Sequence, residues 1–125
     1  MRKSLIVYVL PLLALVARPA FAEETKAVKT MATMLMTLTH FPNDAQKATL
    51  KQLADDKTTT AQELVLVTAI TNTMHSITAA DKAKVEAIMK DDKAPAGVKT
   101  IATILAKFLH MASDADKVEL KKLAA

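Results

Sequence analysis

His40–Leu53 reads HFPNDAQKATLKQL, residues 75–88 read HSITAADKAKVEAI and residues 110–123 read HMASDADKVELKKL. The three histidines that open these stretches are the only ones in the chain and stand 35 residues apart. Behind each follow, in register, a polar residue suited to cap a helix, an alanine, an acid or amide, and a lysine. An equal spacing of this kind marks an internal repeat, and a period near 35 is typical of helical hairpins packed side by side.

Each stretch carries a helix start. Asn43, Thr78 and Ser113 are good N-cap residues, and Gln46, Asp81 and Asp116 stand three positions later, where a side chain can return to the cap amide. Helices are expected to begin near Asp44, Ala79 and Asp114, with inward stripes at Leu50 and Leu53, Val85 and Ile88, Leu120 and Leu123. Upstream of each histidine, MATMLMTLTH, LVTAITNTMH and IATILAKFLH align without gaps. They place apolar residues at helical spacing: Met31, Met34 and Leu35; Leu66, Ala69 and Ile70; Ile101, Ile104 and Leu105. Breaks fall at 55–60 and 91–95.

The expected fold is therefore all-α: three tandem helix-turn-helix units, roughly 25–57, 60–93 and 96–125. They are either stacked as a short solenoid or closed into a six-helix bundle. The period is close to that of tetratricopeptide repeats, but the tryptophan, glycine and tyrosine signature of that family is absent, and no family is assigned.

The N-terminus reads as a secretory signal peptide over residues 1–22. Arg2 and Lys3 precede a 12-residue apolar run, Leu5–Val16, and Ala20-Phe21-Ala22 suits a signal peptidase. That run is short of the about 20 residues a spanning helix needs, so no transmembrane segment is expected after cleavage. A periplasmic or secreted product follows. The chain has no cysteine, which excludes both disulfides and a lipidated N-terminal cysteine. Removing the leader takes Arg2, Lys3 and Arg18 with it, leaving 14 lysines against 13 acids. With no arginine left and only Phe41 and Phe108 as aromatics, nucleic acid is not an expected partner.

No nucleophile constellation, paired carboxylates or cofactor loop stands out, so the chain is read as a non-enzymatic protein without a cofactor. Its leading expected role is binding a protein or peptide partner. The candidate surface is the stripe Thr33 and His40, Thr68 and His75, Thr103 and His110, in which threonine precedes histidine by two helical turns and Thr37, Asn72 or Lys107 lies between. The plainer reading of the histidines is that each closes the first helix of its hairpin, its cationic ring favouring the helix C-terminus.

The alternative is a small metal-binding protein, for copper or zinc, using His40, His75 and His110 with Met36, Met74 and Met111, because imidazole and thioether suit such ions. Met36 and His40 are one helical turn apart if the helix continues. In a linear stack, equivalent residues lie about 10 Å apart per neighbouring helix and cannot share one ion. Only a closed bundle brings them together. A carrier for an apolar ligand, enclosed by an Ala- and Met-rich bundle, is a further alternative.

Overall fold

The computed structural model describes residues 24–125, and the expected signal peptide lies outside them. Six helices follow one another: α1 Lys26–Thr37, α2 Asp44–Asp55, α3 Ala61–Thr71, α4 Ala79–Met89, α5 Ala96–Ala106 and α6 Asp114–Ala124. The chain is all-helical, and the starts at Asp44, Ala79 and Asp114 are set by the expected caps. Asn43 and Gln46 form a reciprocal capping box. Thr78 and Ser113 accept from the amides of Asp81 and Asp116, but those carboxylates do not complete the box. Asp is a methylene shorter than Gln or Glu, and these two instead turn to Asn72 and Lys107 on the preceding helix end.

A further reciprocal box sits at Thr60 and Glu63, where the sequence reading placed only a break. Glu63 is 1% exposed, and besides the Thr60 amide it accepts the hydroxyl of Thr25, the N-cap of α1, at 2.5 Å. A buried carboxylate is tolerated when its oxygens are hydrogen-bonded. Here that requirement ties the start of α3 to the start of α1.

The units close into a ring rather than a stack. The second helix of each unit packs on the first helix of the next, α2 on α3 and α4 on α5, and α6 returns to α1. The first helices α1, α3 and α5 also touch one another pairwise. They form an inner triangle whose equivalent residues Met31, Leu66 and Ile101, and Leu35, Ile70 and Leu105, are all fully buried. The outer helices bury less: Leu50 and Leu53 in α2, and only Leu120 as an apolar residue in α6. Each fully buried Leu or Ile contributes about 1.5–3 kcal/mol relative to exposure, so the inner triangle carries most of the core. Closure also brings the three histidine turns to one end of a near-threefold axis. Among the described residues, no helix is long and apolar enough to cross a membrane.

Candidate metal centre

The first helix of each unit ends before its histidine, at Thr37, Thr71 or Ala106. The expected capping role is therefore corrected: His40, His75 and His110 sit in the turns and do not close a helix. The helical turn joining Met36 to His40 does not form either.

All three histidines adopt positive φ, 60°, 69° and 66°, and no other non-glycine residue among those described does so. Such backbone is uncommon for a side chain with a Cβ and costs about 1–2 kcal/mol, although histidine is among the residues found there more often. Glycine would adopt it without that cost, yet the only glycine, Gly97, lies in α5.

The strained turns are tied to one another. The amide of His40 donates to the carbonyl of His110 at 2.6 Å, that of His75 to His40 at 2.5 Å, and that of His110 to His75 at 2.6 Å. This cyclic set of backbone bonds holds the three Cα atoms around the axis. Above it the rings stand edge to face, with centroids 4.9–5.0 Å apart and planes inclined by 70–76°. Their Nδ1 atoms converge further, to 3.0 Å for His40 and His75, 3.1 Å for His40 and His110, and 3.2 Å for His75 and His110. All three residues are exposed.

Three Nδ1 atoms cannot satisfy one another in a triangle. Each is either an N–H donor or a lone-pair acceptor in the ring plane. Three groups of two kinds leave at least one edge with like facing like, at hydrogen-bond distance. A cation on the axis removes the conflict, because it takes all three lone pairs at once. His40, His75 and His110 would hold such an ion, each offering one imidazole nitrogen of the kind that copper and zinc accept. All three residues are exposed, so an ion held there would be reachable from solvent.

The other expected residues are placed differently. Met74 and Met111, chain neighbours of His75 and His110, are exposed, whereas Met36 is half-buried against the core. Thr33 and Thr103 point away from the triad's chemistry: their hydroxyls donate to the carbonyls of Lys29 and Lys99 in their own helices. Both line shallow grooves between the two helices of a hairpin, Thr33 beside Thr37 and Gln46, Thr103 beside Lys107 and Asp116. Thr68 is likewise exposed on α3. The intervening polar residues Asn72 and Lys107 are engaged by Asp81 and Asp116. The positive φ values and the apolar neighbours Phe41 and Leu109 escaped the sequence reading, because neither glycine nor helical periodicity marks those turns.

No protein-family model matches the chain, and no curated protein or solved structure does so.

Proposed function

We propose that the protein is an exported metal-binding protein that holds one transition-metal ion, copper or zinc, on Nδ1 of His40, His75 and His110. The observation that carries this reading is the odd triangle of Nδ1 atoms at 3.0–3.2 Å, whose three members cannot all pair with one another and would all be taken up by a cation. The strained backbone adds to it, since strain of this kind is held at ligand clamps, and imidazole nitrogen suits both ions. Binding rather than catalysis is favoured because residues 38–42, 73–77 and 108–112 contain no carboxylate to serve as a general base.

Calorimetric titration of the purified protein with zinc or copper should give one ion per chain. His40→Gln, His75→Gln and His110→Gln should each abolish most of the binding. Full binding in all three variants would overturn the reading. The export half of the proposal is supported by the three-part leader, and the N-terminal sequence of the exported product should begin at Glu23. Met1 retained on a cytoplasmic product would overturn it.

The protein-partner reading keeps one supporting observation, the exposed apolar residues Phe41, Met74, Leu109 and Met111 beside the histidines. An apolar surface patch of this kind marks interaction sites.

A further inference from the structure

A divalent ion on the triad would carry charge that its three ligands do not offset. Three neutral imidazoles contribute none, and the segments forming this end, LTHFP (38–42), TMHSI (73–77) and FLHMA (108–112), contain no Asp, Glu, Lys or Arg. Of the acids that follow in the chain, Asp81 is bonded to Asn72 and Asp116 to Lys107, while Asp44 and Asp114 open their helices and Asp114 lines a hollow with Leu109 and Met111. Such an ion, reachable from solvent, would attract an anion as a further ligand.

Exposed apolar residues stand next to the histidines in the chain. Six large apolar side chains are exposed among the described residues. Four of them adjoin the histidines in the chain: Phe41 at 53%, Met74 at 68%, Leu109 at 61% and Met111 at 49%. The other two, Leu64 and Val118, lie within α3 and α6. The apolar surface is thus concentrated around the one place where a cation would sit.

Resting on the metal reading above, we propose that the site's exogenous ligand is an organic monoanion with an apolar tail, of the medium-chain carboxylate class. Its carboxylate completes the coordination of the ion, and its tail lies on the collar of Phe41, Met74, Leu109 and Met111. The two requirements come from different residues. Charge selects the headgroup, and the apolar collar selects the tail, since burying each methylene favours binding.

The test uses cobalt(II), whose visible absorption reports its coordination, loaded on the purified full chain and titrated with acetate and with octanoate. Both should perturb the spectrum, and octanoate should bind at least about tenfold more tightly. Replacing the four collar residues by serine should bring octanoate to the level of acetate while cobalt binding and the helical circular dichroism remain. Equal affinities for the two acids in the unaltered protein would overturn the proposal, as would a spectrum indifferent to both. A cobalt-induced dimer that excludes octanoate would also overturn it, because the collar would then belong to a second copy. Failure of cobalt, zinc and copper to bind at all is seen before any acid is added, and would remove the metal reading along with this one.

Discussion

The His40 amide donates to the carbonyl of His110 across 70 positions of sequence, and this bond, at 2.6 Å, closes the ring that begins and ends the repeat. The same two residues present Nδ1 atoms 3.1 Å apart. Backbone closure and side-chain convergence therefore occur at one point, so a change at either histidine reaches both the fold and the site.

Backbone and ring contributions separate at His75, whose φ is 69°. His75→Gly should keep the turn and relieve its strain, whereas His75→Ala places a Cβ in the same conformation without the imidazole. The alanine variant is expected to be less stable than the glycine variant by about 1 kcal/mol. Both should lose metal binding. Chemical denaturation of the two metal-free variants checks the order, and an alanine variant equal to or above glycine would contradict the assigned backbone.

The rings are close enough to act as a unit. Combining His40→Gln with His110→Gln should cost far less binding free energy than the two single losses summed, since the first already dismantles the site. Metal at 100 times its dissociation constant should raise the stability of the unaltered protein by about 2.7 kcal/mol, and that of the double variant hardly at all. Thermal melts with and without zinc read both numbers. Additive losses would mean three independent histidines.

Two helix caps should differ in weight. Thr78→Ala removes one cap bond to the amide of Asp81 and should cost about 1 kcal/mol. Glu63→Ala removes two hydrogen bonds to a buried carboxylate, the return bond from the Thr60 amide and the bond from the Thr25 hydroxyl, and should cost about 2–3 kcal/mol. Urea unfolding midpoints should rank Glu63→Ala below Thr78→Ala.

Acid should expose a contribution from Asp56. The Thr58 amide and hydroxyl, and to a lesser degree Lys26, hold its carboxyl below the ordinary 3.8. A folded-state value below the unfolded one adds stability that is present above the unfolded value and lost as pH falls through the folded one. The stability lost on Asp56→Asn should thus be largest above about pH 5 and shrink below the ordinary 3.8. A loss that grows on acidification would contradict the assigned bonds.

Much of the local structure was legible in the residues. Asn43, Thr78 and Ser113 mark helix starts because short polar side chains satisfy the free amides there. The spacing of Met31 and Leu35, repeated at Leu66 and Ile70 and at Ile101 and Leu105, marks the buried faces because side chains four apart share one side of a helix. The equal spacing of the histidines also singled out three residues that the fold brings together. Their conformation was not legible, since His40, His75 and His110 take a backbone that the sequence pattern signals mainly through glycine.

Sequence by itself determined helices in three like units of about 35 residues, because capping and periodicity act over a few residues along the chain. Tertiary structure alone decided between stack and ring. A period of 35 is the same in both, and the turn from one unit to the next depends on how α1, α3 and α5 pack their fully buried side chains against one another. That packing places α6 on α1 and brings three histidines, far apart in the chain, to within hydrogen-bond distance on one axis.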